Sequence, residues 1–479
     1  MAEPSFYWHD YETFGSNPRR DRPAQFAGMR TTLDLEPVGE PLVLYCRPLD
    51  DLLPHPEACL ITGVTPQVAE AEGVPEPEFI ARIERELGAP GTCGVGYNSL
   101  RFDDEVTRHT LWRNFHDPYA REWRQGCSRW DLIDTVRLVH ALRPEGIEWP
   151  RRDDGATSFR LEDLAEANGL EKQRAHDALS DVHTTIALAR LLRDRKPKLF
   201  AYVLDNRDKR SARAMLDPDA PAMVLHVSQR FPAATGCISP ILPIAPHPFN
   251  NNAVICFDLR HDPRDLLELP PDELFDRLFT PAEDLPDDVE RLPLKNVHLN
   301  RCPVLAPVST LKGVDTGRLQ LDMQRCEKRA GQLVAAIDDV RETAVALFSE
   351  QDFAPSADPE QGLYDGFVDN GDRQRCEEIR HLDGSGLAAL GAPFADERLN
   401  ALLMRYRARH FPDSLDDEER AEWQRWREGR LRFAPDGGLS LDDYDALLAQ
   451  LRGMHSTPEA TGILDQLAEW GQRLRADID

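Results

Sequence analysis

The chain has 479 residues, more than one ordinary hydrophobic core holds, so two or three domains are expected. Its formal net charge of −27 at pH 7 excludes a protein that binds nucleic acid over its whole surface, because cations must then be concentrated locally. The nine cysteines form no Cys-x-x-Cys pair, so we expect neither structural zinc nor disulfides. The first residues have no basic signal-type region and no apolar run is long enough to cross a bilayer, so we expect a cytoplasmic protein without membrane contact.

The first predicted element is a strand that delivers acidic residues. The apolar, aromatic run at residues 6–9 predicts a strand with Asp10 at its carboxyl end. Side chains alternate along a strand, so Asp10 and Glu12 point the same way, and their mutual repulsion favours a cation between them. A solvated acidic pair is the alternative in a chain with 84 acidic residues.

A second strand, at residues 92–98, precedes a helix predicted over residues 102–112. Phe102, Val106 and Leu111 form its expected buried face. Asp103 lies at the helix start and is the next candidate ligand, although the helix dipole alone would favour a carboxylate there. Spacing does not separate Asp103 from Asp104 and Glu105 as ligands.

Two further helices are predicted, over residues 158–169 and from residues 176–177 to Leu192. His176 is expected on the loop before the second helix and Asp181 in its first turns, so both can face one cleft. A lone histidine before a helix is more often a capping or packing residue. The accompanying carboxylates favour a functional His176.

The charged, proline-containing stretch at residues 193–198 ends the first predicted domain, 1–195. A small β-rich domain, 196–350, is predicted from short apolar strands at residues 223–228, 237–242, 253–258 and 297–300. Helical patterns dominate from about residue 315, and residues 351–479 are predicted to form an α-helical domain.

Within the helical domain, Ser414 and Ser440 each begin a helix-start pattern. An apolar helix face is predicted from Leu399, Leu402, Leu403 and Tyr406. Arg405 and Arg409 share a neighbouring face, which is interpreted either as a solvated arginine face or as one wall of a DNA channel.

The motifs Asp10-Tyr-Glu12-Thr13, Phe102-Asp103 and His176-x-Ala178-x-x-Asp181 resemble the three motifs of the DEDDh, or DnaQ-like, 3′→5′ exonucleases. More narrowly, the chain resembles the bacterial exonuclease I family in residues 9–15, 22–26, 60–67, 101–108, 128–132, 141–146, 300–306 and 406–412. The resemblance implies an α/β fold: an RNase H-like exonuclease domain with a mixed sheet flanked by helices, an SH3-like β-rich domain and an α-helical C-terminal domain. It also implies processive 3′→5′ hydrolysis of single-stranded DNA to 5′-mononucleotides, with a role in DNA repair and recombination.

The same resemblance assigns roles to individual residues. Asp10, Glu12, Asp103 and Asp181 would hold two Mg²⁺ ions, with Mn²⁺ able to substitute, and His176 would deprotonate the attacking water. The implied substrate contacts are Glu12, Thr13, Phe14, Arg108, Tyr119, Trp123, Arg137 and Arg160. Core or surface packing is the alternative for Tyr119 and Trp123, and a surface ion pair with a nearby glutamate is the alternative for Arg160.

A protein partner is implied as well. Arg143 matches an expected contact with the acidic C-terminal tail of single-strand-binding protein. Lys312 occupies a position where an arginine is expected. The lysine keeps the positive charge but lacks the forked guanidinium group of arginine. A monomer is expected.

Three other functions are alternatives. A 3′→5′ exoribonuclease of the same fold would use the same five catalytic residues. A proofreading subunit would not need the β-rich and helical extensions. A non-catalytic single-strand-binding scaffold would be expected to lack a carboxylate or the histidine, and none is missing.

Overall fold

The structure is a computed structural model that describes residues 3–170, 177–287, 289–350 and 355–479. Its residues cluster into two compact units. The first unit comprises Met1–Ser128, Lys172–Ile186 and Ala354–Asp479, and the second comprises Arg129–Glu171 and Ala187–Phe353. This clustering joins the two ends of the chain because they share apolar clusters, so the predicted domain boundaries near residues 195 and 350 stay a prediction.

The first unit is built on a mixed sheet, as predicted. Its strands β1 (Ser5–Thr13), β2 (Pro23–Thr31), β3 (Leu42–Tyr45) and β4 (Thr92–Gly96) are hydrogen-bonded in the order β3-β2-β1-β4. β1 is antiparallel to β2 over most of its length and parallel to β4 over Ser5–Trp8, so its first half is paired along both edges. It continues three residues beyond Asp10, and both predicted ligands lie inside the strand rather than past its end.

Three helices lie between β3 and β4, namely α1 (Pro56–Thr62), α2 (Pro66–Glu72) and α3 (Glu76–Leu87), and α4 (Asp103–Arg113) follows β4. One apolar cluster packs α3 and α4 against the sheet through Tyr7, Tyr11, Phe26, Phe79, Ile80, Ile83 and Leu111. The expectation of a single buried face on α4 was wrong, since every residue of this helix is buried. Its polar side chains are therefore buried as well.

The second unit begins at the short strand β5 (Ser128–Asp131) and contains α5 (Leu132–Leu142) and α6 (Leu161–Ala167). The long helix α7 (Ala178–Arg195), whose residues up to Ile186 belong to the first unit, starts one or two residues after the predicted start. Pro197 begins α8 (Pro197–Asp205), which is followed by α9 (Lys209–Met215), so α7 ends within the charged stretch at residues 193–198.

The β-rich part of the second unit is a five-stranded antiparallel sheet in the order β10-β6-β7-β8-β9. Its strands are β6 (Val224–Val227), β7 (Ile238–Pro246), β8 (Ala253–Asp258), β9 (Leu294–His298) and β10 (Leu305–Pro307). The strand β10 was not predicted, because it is only three residues long and ends in proline. The helices α10 (Arg264–Glu268), α11 (Pro271–Phe279), α12 (Met323–Ala335) and α13 (Ile337–Ser349) complete this unit.

The C-terminal helices of the first unit are α14 (Asn370–Ile379), α15 (Gly384–Ala388), α16 (Glu397–His410), α17 (Asp417–Phe433), α18 (Leu441–Met454) and α19 (Pro458–Ala476). The predicted apolar face of α16 is buried. Ser440 caps α18 through the Asp443 N–H, as predicted, but the cap of α17 is Asp416 rather than Ser414. Asp416 forms a capping box with Glu419, which places the helix start two residues later.

Across the described residues, we find no helix with the length and apolar character that crossing a membrane requires.

Candidate active site

Three of the predicted metal ligands lie together. β1 places Asp10 and Glu12 on one face of the sheet, and α7 carries Asp181 in its first turn. One carboxylate oxygen from each of these residues lies within 4.8 Å of the other two. On the opposite face of β1, burial lowers the pKa of His9 to about 4, so this imidazole is neutral and does not offset the negative charge.

Asp103 is tied to the same strand through its backbone. Its Oδ1 accepts a hydrogen bond of 3.0 Å from the N–H of Tyr11, the residue between Asp10 and Glu12. The competing candidates form ion pairs elsewhere: Asp104 lies 2.7 Å from Arg121, and Glu105 lies 2.6 Å from Arg108. The group of three carboxylates does not include Asp103, and its assignment as the fourth ligand ahead of its two neighbours stays a prediction.

The start of α7 is connected to β2 by a residue that sequence analysis did not assign to the site. The Gln25 amide lies 3.4 Å from Asp177 Oδ1, and its carbonyl oxygen lies 3.4 Å from the Ala178 N–H. Gln25 is the register partner of Glu12 across the β1–β2 ladder. Gln25 therefore helps to hold Asp181 near Glu12, and the segment at residues 22–26 was its only signal in the sequence.

The predicted general base, His176, lies outside the described residues, and its role stays a prediction. The donor set that is described consists of carboxylate oxygens, the ligands that Mg²⁺ and Mn²⁺ prefer. Three carboxylates this close repel one another unless a cation lies among them. The residues present therefore fit a divalent metal site.

Thr13 and Phe14 follow directly after the ligands on β1. The Thr13 hydroxyl donates to the Gly15 carbonyl at 2.6 Å, and the Phe14 N–H donates to the Arg22 carbonyl at 2.9 Å. Both side chains are buried, with Phe14 in the apolar cluster that includes α18 and α19. Their predicted contact with the terminal nucleotide stays a prediction.

The predicted DNA contacts in the first unit differ in exposure. Arg108 is buried, its guanidinium binds Glu122 at 2.7 and 3.0 Å, and it lies 5.5 Å from the centre of the Tyr119 ring. Trp123 is 64% exposed, with Arg124 5.5 Å from its ring centre. Trp123 therefore offers an open aromatic surface, whereas a phosphate at Arg108 would compete with Glu122.

The same contrast holds in the second unit. Arg137 is buried, lies 2.6 Å from Asp134 and packs over the Phe159 ring at 5.8 Å. The Arg160 side chain is 72% exposed, and its nearest approach to the Glu162 carboxylate is 3.9 Å. Arg160 is thus available to a ligand in solution.

The two predicted partner-binding residues lie next to each other. Arg143 Nη2 donates to the backbone carbonyls of Thr310 and Lys312, each at 3.2 Å. The fold thereby brings the backbone of Lys312, whose side chain is exposed, to a guanidinium that is 169 positions away in the chain. Cations on neighbouring residues are suited to an acidic peptide.

Both interpretations of Arg405 and Arg409 were wrong. These side chains are buried in a cluster of ion pairs, which we call the buried charge cluster: Arg22, Asp51, Glu360, Arg405, Arg409 and Arg430. Arg409 Nη2 lies 2.7 Å from Asp51 and 2.6 Å from Glu360. The helical pattern of α16 could not reveal these partners, because the carboxylates come from distant segments.

Three protein-family sequence models match the chain. They are described as Exonuclease, matching residues 7–189, Exonuclease I SH3-like domain, matching residues 207–350, and Exonuclease I C-terminal domain, matching residues 357–474. Exodeoxyribonuclease I of Escherichia coli (strain K12) is 47% identical over 436 residues, which cover 91% of each chain.

Solved structures agree over the full length. Exonuclease I from Methylocaldum szegediense has a TM-score of 0.93 and 48% identity, covering 99% of this chain and all of that one. E. coli exonuclease I in complex with a dA16 oligonucleotide has a TM-score of 0.93 and 44% identity, covering 98% of this chain and all of that one. Other matching structures include a zinc-bound complex of E. coli exonuclease I with single-stranded DNA and an SSB/exonuclease I structure.

Proposed function

Because the chain belongs to the bacterial exonuclease I family and is a single-stranded-DNA exonuclease, we propose that it removes 5′-mononucleotides processively from 3′ ends by two-metal-ion catalysis. The observation that carries the mechanism is the group of three carboxylates within 4.8 Å of one another in the exonuclease region. The activity depends on a divalent metal; Mg²⁺, replaceable by Mn²⁺, is our proposal for its identity. DNA repair and recombination are the processes in which we expect this activity to serve.

Asp10, Glu12, Asp103 and Asp181 would hold the metal ions. When bound, two divalent ions supply positive charge that stabilises the attacking and leaving oxygens at the scissile phosphate. The protein itself holds the carboxylates in place. Strand β1 carries Asp10 and Glu12, the Tyr11 N–H binds Asp103, and α7 carries Asp181. Their rigid placement lowers the reorganisation needed during reaction.

We assign His176 as the base that takes the proton of the attacking water. An imidazole that titrates near neutral pH suits this step, and the resemblance to the DEDDh motifs supports the assignment. The proton moves from the water oxygen to a ring nitrogen as the water attacks phosphorus. The leaving 3′-oxygen of the shortened strand departs on the opposite side.

Binding of a DNA strand without recognition of its sequence requires aromatic surfaces that stack on bases and cations that meet phosphates. We propose that Trp123 stacks on a base and that Arg160 meets a phosphate, because both side chains are exposed. We further propose that Arg143 and Lys312 receive the acidic tail of single-strand-binding protein, a partner for which a matching SSB/exonuclease I structure gives support. We propose that the protein acts as a monomer.

The first experiment compares the wild-type protein with Asp10→Asn on 5′-labelled single-stranded DNA, single-stranded RNA and blunt duplex DNA in Mg²⁺. Wild type should shorten only the single-stranded DNA, and the variant should lose about 10³-fold in rate, equivalent to roughly 4 kcal/mol. Asp338→Asn on α13 is the matched control, since this carboxylate is 94% exposed. Preference for RNA, or full activity of Asp10→Asn, contradicts the proposal.

A further inference from the structure

Arg22 closes the hairpin that carries two metal ligands. The β1–β2 register shifts between Glu12, which is opposite Gln25, and Thr13, which is opposite Pro23, so β2 carries one extra residue, Ala24, in a bulge across from a proposed ligand. Just beyond the bulge, the Phe14 N–H donates to the Arg22 carbonyl at 2.9 Å. Bulges re-aim the side chains beside them, so the position of Arg22 bears on the direction of Glu12.

The Arg22 side chain is held by a carboxylate from the other end of the sequence. Arg22 is buried, its Nη2 forms an ion pair with Glu360, and its Nε lies 4.0 Å from Glu76. Both partners are buried too, so water does not screen these pairs. Arg22 is therefore fixed at both its backbone and its guanidinium.

Glu360 is the centre of the buried charge cluster. It is 1% exposed, and besides Arg22 it contacts Arg405 at 3.1 Å, Arg409 at 2.6 Å and Arg430 at 3.9 Å. Burial alone would raise the pKa of this carboxyl, but the four guanidinium groups outweigh burial and hold the pKa well below its usual range. Glu360 is therefore ionised at neutral pH.

We propose that Glu360 is a positioning residue for the metal site, acting through Arg22 on the bulge that aims Glu12. This inference rests on the proposed function, because it takes the carboxylate group on β1 and α7 as the metal site. Without the Glu360 charge, Arg22 keeps its hydrogen bond to Phe14 but loses the anion that fixes its guanidinium. The four arginines of the cluster then share only the Asp51 carboxylate within it, and the larger excess of buried positive charge drives the arginines apart and displaces Arg22.

The chain offers a closely matched control in Asp358. This residue precedes Glu360 by two positions, its side chain is 11% exposed, and it contacts Arg405 at 2.5 Å rather than Arg22. Asp358→Asn and Glu360→Gln each remove one negative charge from the same segment and one of the two carboxylates that contact Arg405. Only Glu360→Gln also removes the carboxylate that pairs with Arg22.

The test measures binding of Mn²⁺ alone by calorimetry, together with kcat and KM on an oligo-dT strand, for wild type and both variants. We expect Glu360→Gln to weaken Mn²⁺ binding about tenfold and to lower kcat, with the fall in kcat reversed by raising the Mn²⁺ concentration. Asp358→Asn should remain within twofold of wild type in Mn²⁺ affinity and in kcat. Urea unfolding, followed in parallel, reports the stability that both variants lose.

Two results would overturn the inference: a folded Glu360→Gln that binds Mn²⁺ within twofold of wild type, or an Asp358→Asn that is weakened equally. If Glu360→Gln does not fold, Arg22→Lys decides, because it keeps the charge and the backbone contact but loses the fork. Weaker Mn²⁺ binding by Arg22→Lys supports the inference, and unchanged binding refutes it. If wild type itself binds no Mn²⁺, the proposed metal site and with it the proposed function fail. Binding by wild type therefore distinguishes a failure of the proposed function from a failure of the Glu360 inference alone.

Discussion

Glu76 offers a test of how much one buried carboxylate stabilises the first unit. This residue begins α3 and is buried. Its carboxylate accepts from Arg113 at 3.0 and 3.3 Å and from the Asn114 side chain at 2.8 Å. Glu76→Gln keeps the shape but removes the charge, so the variant mimics the protonated acid.

The magnitude follows from the pKa. Burial raises the pKa of the Glu76 carboxyl, but Arg113 and Arg22, with hydrogen bonds from Arg113 and Asn114, lower it from 4.5 to about 2. A carboxyl whose pKa is lower in the folded state stabilises the fold above its unfolded pKa, and this stabilisation is lost as the pH falls through the folded value. The difference corresponds to about 3 kcal/mol at pH 7 and about 1 kcal/mol at pH 3.

The assay is urea unfolding of wild type and Glu76→Gln, followed by circular dichroism at pH 7 and at pH 3. The gap in unfolding free energy should be about 3 kcal/mol at pH 7 and should shrink to about a third of that at pH 3. Glu78→Gln is the control on the same helix: Glu78 is 47% exposed and pairs with Arg82, so it should cost less than about 0.5 kcal/mol. A gap that does not change with pH would refute the electrostatic reasoning.

Three further predictions concern the predicted contacts. In an Asp10→Asn background, Trp123→Ala should weaken single-stranded DNA binding by about 1–3 kcal/mol in fluorescence anisotropy, whereas Phe433→Ala, also at an exposed ring, should not. Arg143→Ala should lower the affinity for the acidic tail peptide of single-strand-binding protein, measured by calorimetry at 50 mM salt. The difference in affinity between wild type and variant should be smaller at 300 mM salt, because salt screens ionic contacts. A difference in affinity that does not change with salt would contradict an ionic contact. Arg409→Ala should destabilise the fold by about 3–5 kcal/mol in urea while leaving DNA affinity within twofold, and the reverse pattern would restore the channel-wall interpretation.

The local sequence pattern was sufficient to predict the placement of the two carboxylates that lie on β1. The aromatic run before Asp10 and the two-residue period of a strand place Asp10 and Glu12 on one face, and the structure has them there. The contacts that distinguish Asp103 from Asp104 and Glu105, which are the Tyr11 N–H and the ion pairs of the two neighbours, could not be predicted from the sequence. A tertiary contact, not spacing, separates the three.

The arginines of α16 show why other predictions failed. A helical period identifies residues that share a face, but it does not tell whether that face meets water or a carboxylate from elsewhere. Arg409 meets Asp51 and Glu360, which lie 358 and 49 positions away. The buried polar side chains of α4 escaped prediction for the same reason, since their burial depends on segments distant in the sequence.

The pairing of β1 along both edges has a thermodynamic consequence. Amide protons of the doubly paired segment, Ser5–Trp8, exchange with solvent only when a large part of the unit opens. Asp10 and Glu12 directly follow this segment and are held in register with β2, so the repulsion between them persists in the metal-free protein. Divalent ions relieve that repulsion only in the folded state, so metal binding should raise the melting temperature of the whole first unit.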